Sequence, residues 1–192
     1  MAKKVLIIGG VAAGMKTASR LRRRDKDAEI TVLERGQQVS YGACGFPYYI
    51  GGDVEDFTSF THTPQGFARD AEFFKTVKGF DVLTGHEAQK IDRARKIVTV
   101  LDKADGTVKE MQYDVLILGT GSTPVKLPLP GAELGGIHNF WFPWETLQVK
   151  AEMQEYKVTD VVIVGAGLIG MELAEAFHKQ GLTAADAGSG NG

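Results

Sequence analysis

The chain offers one thiol able to do redox chemistry and two glycine turns able to cradle a pyrophosphate. Cys44 is the single cysteine of the chain. It lies in Ser40-Tyr41-Gly42-Ala43-Cys44-Gly45-Phe46-Pro47-Tyr48-Tyr49-Ile50-Gly51-Gly52, where four glycines, a proline and four aromatics are an odd setting for a core segment. A free cysteine is ordinarily a small buried hydrophobe. Here the small neighbours leave backbone close to a planar ligand, and a short helix starting near Cys44 would offer a dipole and N–H groups that favour a thiolate. One cysteine makes no internal disulfide, which fits a reducing compartment and leaves Cys44 either inert or chemically special.

Four positions before a helical pattern, Val5 to Ile8 form a β-branched apolar run, and Gly9, Gly10 and Gly14 follow at the turn. The helix carries Met15, Ala18 and Leu21 inward, and a second strand ends at Glu34. Strand, glycine turn, helix and strand make a βαβ unit. Such a turn lets backbone approach a pyrophosphate, whose charge sits on the free N–H groups and positive dipole of the helix N-terminus. Glu34 stands where an acid accepts hydrogen bonds from a ribose, so the expected ligand is a dinucleotide with a free 2′-hydroxyl on its adenosine. In G-x-G-x-x-G register Gly9 and Gly14 fit, but Val11 takes the middle position and Gly10 comes one place early. An ordinary strand-to-helix turn is the competing reading of that pattern alone. The theme recurs intact at Gly165-Ala166-Gly167-Leu168-Ile169-Gly170, between the strand Val161 to Val164 and the helix MELAEAFHK. Two nucleotide turns in one chain are far more specific than either alone.

The elements between them complete the scaffold. Thr63-Pro64 reads as a helix start with Thr63 as N-cap, and Phe67, Ala71 and Phe74 recur at helical spacing. Phe80 to Thr84 is the next parallel strand. His86 to Ile91, Lys96 to Leu101 and Thr107 to Tyr113 alternate as an antiparallel meander, its last two runs joined at Lys103-Ala104-Asp105-Gly106. Asp114 to Leu118 returns to the sheet and breaks at Gly119-Thr120-Gly121-Ser122-Thr123-Pro124. A Pro/Gly-rich linker follows, then a helix from Trp144 to Tyr156. The tail LTAADAGSGNG does not read as a strand and is expected to be disordered or foreign to the fold. The expected organisation is therefore an α/β chain: a first Rossmann-like domain over residues 1–123, a linker and helix over 124–157, the start of a second Rossmann-like domain over 158–181, and the tail over 182–192.

Composition narrows the classes further. The 192 residues with 43% hydrophobic content suffice for one sizeable core and part of another. A formal charge of −2, from 22 basic and 24 acidic residues, gives no overall electrostatic case for nucleic acid or membrane binding. Arg20, Arg22, Arg23 and Arg24 read as a solvated helix end. The longest apolar runs are too short for a bilayer, and with no signal-peptide pattern at the start a cytoplasmic protein is expected. No His, Cys or carboxylate cluster has metal-ligand spacing, and His62 and His86 are not expected to be catalytic.

Taken together, these residues resemble the pyridine nucleotide-disulfide oxidoreductases, and within them the single-cysteine branch of coenzyme A-disulfide reductases, NADH oxidases and NAD(P)H-dependent persulfide reductases. The turn Gly9-Gly10-Val11-Ala12-Ala13-Gly14 looks like that branch, valine included. Ser40-Tyr41-Gly42-Ala43-Cys44 matches its S-F-x-x-C motif with tyrosine for phenylalanine. Thr120-Gly121 resembles the family's second flavin-domain turn, and Gly165, Gly167 and Gly170 match its NAD(P)H fingerprint. The resemblance implies a glutathione-reductase-type FAD domain, with parallel sheet and meander, followed by the start of an NAD(P)H domain. It implies FAD on the first turn with its ribose on Glu34 beside Arg35, backbone near Glu87 and Ala88 at the adenine, and NADH or NADPH on the second turn. A hydride then passes through the flavin to a disulfide or persulfide held by Cys44, or Cys44 cycles through a sulfenic acid in an oxidase or peroxidase. Ser40 would flank the thiol. Arg23 and Lys78 match positions that contact coenzyme A, whose phosphates suit a guanidinium or ammonium. Ala43 departs from the asparagine common before the cysteine. Family members complete the sites with a later Gly-Asp motif and a C-terminal dimerisation domain, so a full-length parent is expected to be a homodimer and this chain alone to be inactive. The alternative is a binding module that holds FAD or ADP and turns over nothing.

Overall fold

A computed structural model describes residues 2–126 and 128–186. The elements run β1 Lys4–Ile8, α1 Ala13–Arg24, β2 Glu29–Glu34, a 3-10 turn Ala43–Gly45, α2 Phe46–Ile50, a second 3-10 turn Phe57–Phe60, α3 Ala71–Phe73 continued by a π turn Phe74–Lys78, and β3 Asp81–Thr84. Then come β4 His86–Asp92, β5 Ile97–Asp102, β6 Val108–Gln112, β7 Val115–Leu118, α4 Pro143–Glu155, β8 Asp160–Ile163, α5 Leu168–Lys179 and β9 Thr183–Asp186. They form two compact units, the described residues of 1–41 with 61–122, and those of 42–60 with 123–186.

The first unit is built on a parallel sheet of order β3-β2-β1-β7. Period-two alternation assigns its faces. Val5, Ile7, Ile30 and Val32 point to the side that α1 covers with Met15 and Ala18, joined by Phe74, Phe80 and Val82. Leu6 and Leu33 point the other way, against Val98 and Val100 of the antiparallel sheet β4-β5-β6. Both faces are buried, so the strands carry almost continuous apolar runs. Ile7 and Val32 are wholly buried, and truncating such a side chain to alanine costs about 2–5 kcal/mol.

In the second unit, β8 and β9 pair in parallel, and Ile163, Leu173, Ala176, Phe177 and Leu182 form its core with Ile50 of α2. Ile50 explains why residues 42–60 join this unit rather than continuing the first domain through residue 123 as expected: their apolar anchor is inserted beside α5.

Three further expectations are corrected. No helix starts at Thr63; its hydroxyl accepts from Phe67 N at 3.2 Å and its carbonyl from Gly66 N at 2.9 Å, closing a turn that leaves Phe67 exposed. Asp70 is the real cap, its carboxylate accepting from Phe73 N at 2.8 Å; an acid at the N-cap competes better than Thr-Pro eight residues from the apolar face. Arg22 is not merely solvated: its guanidinium donates to Gly79 O, Lys26 O and Ala28 O at 2.6–2.8 Å, lashing the end of α1 to the loops beside it. Finally, Thr183–Asp186 is a strand, because backbone pairing with β8 outweighs the poor β-propensity of its alanines; the rest of the expected tail, 187–192, lies outside the described residues. Among the described residues, no helix is long and apolar enough to cross a membrane.

Candidate functional site

At the first glycine turn three backbones converge. Gly9 has φ 109°, and a methyl there would lie 2.0 Å from Gly119 O; a methyl on Gly14 would lie 1.8 Å from Gly9 O. Gly119 N in turn donates to Ile8 O at 2.7 Å. The exits of β1 and β7 and the start of α1 are therefore packed backbone on backbone, which only hydrogen side chains allow. The N-cap of α1, Ala12, brings no side-chain acceptor and its first turn has no acid. Its N–H groups keep their capacity for an anion.

Glu34 closes this turn from the end of β2. Its Oε2 accepts from Gly10 N and its Oε1 from Gly36 N, both at 2.8 Å. A methyl on Gly10 would meet Glu34 Cβ at 2.8 Å and Val39 Cγ1 at 3.0 Å, so the glycine that falls one place early in the fingerprint is the one the acid packs against. Each carboxylate oxygen retains a second lone pair for a ribose hydroxyl. Gly10 O accepts from Ser40 N at 2.9 Å, and Ser40 holds φ 53°, a left-handed conformation costly for serine.

The second turn repeats the first. Gly165 has φ 120°, and a methyl on Gly170 would lie 2.0 Å from Gly165 O. Gly167 is the N-cap of α5 with no side-chain acceptor, and a methyl there meets nothing within 4 Å, so its outer face is open. In register, Ile163 stands opposite Asp186 as Ile7 stands opposite Val32.

Cys44 is exposed, in the middle of the 3-10 turn that leads into α2. The turn rests on Phe60. Gly42 N donates to Phe60 O at 3.0 Å, Gly45 N donates to Gly42 O at 3.0 Å, and a methyl on Gly45 would lie 2.1 Å from Phe60 Cε1. Beneath it Phe46 is buried, stacked on Phe57 with centroids 5.5 Å apart and edge-on to Phe60 at 5.7 Å. The glycines and aromatics that looked odd around the thiol have this explanation: the rings form a shelf and Gly45 lets the backbone lie on it.

The structure thus brings Gly9, Gly10, Gly14, Glu34 and Ser40 together in the first unit, with Val11, Ala12 and Ala13 between the glycines and Gly119 leading into Thr120 and Gly121. Thr120 and Gly121 are exposed. Arg35 is exposed on the loop after β2, and its carbonyl accepts from Lys103 Nζ at 3.4 Å. Ala88 is packed against the apolar cluster under the meander, next to an irregularity in the β4–β5 register. Arg23 and Lys78 are both exposed, and Lys78 Nζ lies 5.6 Å from the centre of the Phe73 ring; nothing links the two cations. Gly119, Val39 and Phe60 were not singled out from sequence; only Gly119, in its glycine-rich break, carried a signal. Among the described residues, no group of three His, Cys, Asp or Glu is placed to hold a metal.

Two glycine-turn βα units, one preceding and one following a meander, define an α/β fold of the two-Rossmann-unit class, and this chain carries one exposed thiol beside them in sequence. The chain belongs to the pyridine nucleotide-disulphide oxidoreductase family, whose model matches residues 3–185. It is 34% identical over 181 residues to the NAD(P)H coenzyme A polysulfide/persulfide reductase of Pyrococcus horikoshii, covering 94% of this chain and 38% of that one. It is 33% identical over 180 residues to the NADH oxidase of Methanocaldococcus jannaschii, covering 93% and 38%. Among solved structures it is similar to an NAD-dependent persulfide reductase from A. fulgidus, at 42% identity and TM-score 0.89, over 95% of this chain and 33% of that one. The chain spans less than two fifths of the length of these curated relatives.

Proposed function

We propose that this chain is the FAD-binding and cysteine-bearing part of an NAD(P)H-dependent reductase of a small-molecule disulfide, persulfide or polysulfide. The reading is supported most by the contact that the two turns share, Gly14 on Gly9 O and Gly170 on Gly165 O, in a chain with one exposed thiol. The residues fit the cofactors: a turn without side-chain caps for a pyrophosphate, Glu34 with free lone pairs for an adenosine ribose, and an open Gly167 face for the second dinucleotide. FAD, when bound, supplies the two-electron link between NAD(P)H and sulfur.

The chain's own residues do the rest. Gly9 to Gly14 and the start of α1 hold the flavin pyrophosphate; Gly165 to Gly170 hold that of NADH or NADPH. Cys44 as thiolate attacks one sulfur of RS–SR, forming Cys44–S–SR and expelling RS⁻. Two electrons and a proton then cleave the mixed disulfide, returning the Cys44 thiolate and releasing RSH. Overall, RSSR, NAD(P)H and a proton give two RSH and NAD(P)⁺. By the family resemblance Ser40 is assigned a hydroxyl's part in the exchange, and Arg23 and Lys78 are assigned as cations for a phosphorylated thiol such as coenzyme A.

The NADH oxidase among the relatives supports a second reading, in which Cys44 cycles through a sulfenic acid. The experiment that tests the choice is NADH consumption by flavin-loaded protein of full family length, with coenzyme A disulfide or a persulfide against oxygen or peroxide. Faster turnover with the sulfur acceptor supports the reductase; turnover with oxygen or peroxide alone overturns it.

A further inference from the structure

The Cys44 turn and α2 form one helical run, residues 43–50, whose far end is held by other elements of its own unit. Lys150, on α4, donates from Nζ to Ile50 O at 2.8 Å and lies 5.7 Å from the centre of the Tyr49 ring. Gln180, at the C-terminal end of α5, donates from Nε2 to Gly51 O at 2.8 Å. Lys179 of α5 pairs with Asp53 at 3.1 Å, and Ala176 lies under Gly51, where a methyl would come within 3.3 Å of its Cα. Carbonyls at the end of a helix have no partner within it, and a cation or amide there stabilises the whole run.

We propose that Lys150 and Gln180 are positioning residues for Cys44, fastening the run that begins with the thiol to α4 and α5. A five-residue α-helix is not stable by itself, so its order comes from these partners and from Ile50, which is wholly buried in the core around α5. The other end of α5 is the glycine turn at Gly170. One helix therefore sets both the second nucleotide turn and the anchor of the Cys44 run. Burial lowers the Lys150 pKa from 10.5, because desolvation disfavours the charged ammonium.

The inference rests on Cys44 being the reactive thiol, and the test does not need flavin. Because Cys44 is the single cysteine, the rate of carbamidomethylation by iodoacetamide reports on it alone. The expected result at neutral pH is a fall of about threefold or more in Lys150→Met and in Gln180→Ala, because a frayed run no longer holds Cys44 in one exposed orientation. Lys150→Arg, which keeps a cationic donor, restores the rate to within about twofold of the original. Gln180 is exposed, so its variant remains informative if Lys150→Met fails to fold, which a thermal melt reveals. Unchanged rates in the folded variants overturn the proposal. A chain that retains no flavin yet shows the fall contradicts the proposed function and leaves the positioning role standing.

Discussion

Gly10 and Glu34, 24 residues apart, are joined by a 2.8 Å hydrogen bond from the Gly10 amide to the Glu34 carboxylate. The same carboxylate holds Gly36 N at 2.8 Å. One acid therefore ties the glycine turn to the end of β2. Glu34→Ala removes two charge-assisted bonds at a half-buried site, and the expected loss is about 1.5–3 kcal/mol. Urea denaturation measures it; Glu34→Gln, which still accepts one bond, falls between.

The two turns are separable. Gly14→Ala and Gly170→Ala each place a methyl 2.0 Å or less from a backbone oxygen, and backbone does not yield as a side-chain tip does. Gly14→Ala is expected to abolish FAD retention. Gly170→Ala is expected to leave FAD retained and to weaken NADH binding by about tenfold or more. Flavin absorbance after gel filtration and NADH titration by fluorescence distinguish them; equal effects of both variants on both ligands would contradict the assignment.

Gly45 and Phe60 form a testable pair. A methyl 2.1 Å from Phe60 Cε1 overpacks the shelf under Cys44, so Gly45→Ala costs about 1–3 kcal/mol. Adding Phe60→Leu makes room, and the double variant is expected to be less unstable than the two single losses added together. Strict additivity in denaturant midpoints would show that the ring is not what Gly45 accommodates.

Stability should respond to pH at two carboxylate or ammonium sites of the second unit. Hydrogen bonds from Gln148 and then from His138 hold the Glu152 carboxyl below its ordinary 4.5. Its contribution is present above that value and is lost as pH falls below it. The Asp53 hydrogen bond raises Lys179 above 10.5, so that contribution is full below 10.5 and is lost as pH rises beyond it. Thermal melts across pH should flatten at the acid end in Glu152→Gln and at the alkaline end in Lys179→Met.

Much of this was legible in the residues. Apolar runs with periods of two and 3.6 placed β1, α1, β2, the meander and β7, because each buries one side against a neighbour. Gly9, Gly14 and Gly170 were legible because a backbone-on-backbone contact admits no other residue, and Gly165 because its φ of 120° favours glycine. What escaped depended on competition between neighbouring cap signals or on partners distant in sequence. Asp70 rather than Thr63 caps α3; Arg22 finds Gly79 O across 57 residues; and Thr183–Asp186 becomes a strand only because β8 is there to pair with it. The allegiance of residues 42–60 rests on Ile50 meeting α5, a contact that no local pattern announces.

The central claim is that the first turn is an FAD site. The direct measurement is the absorbance spectrum of the purified chain after incubation with excess FAD and removal of the unbound part, beside that of Gly14→Ala. The account predicts a retained flavin band in the former and none in the latter. A colourless chain, or equal flavin in both, would contradict it.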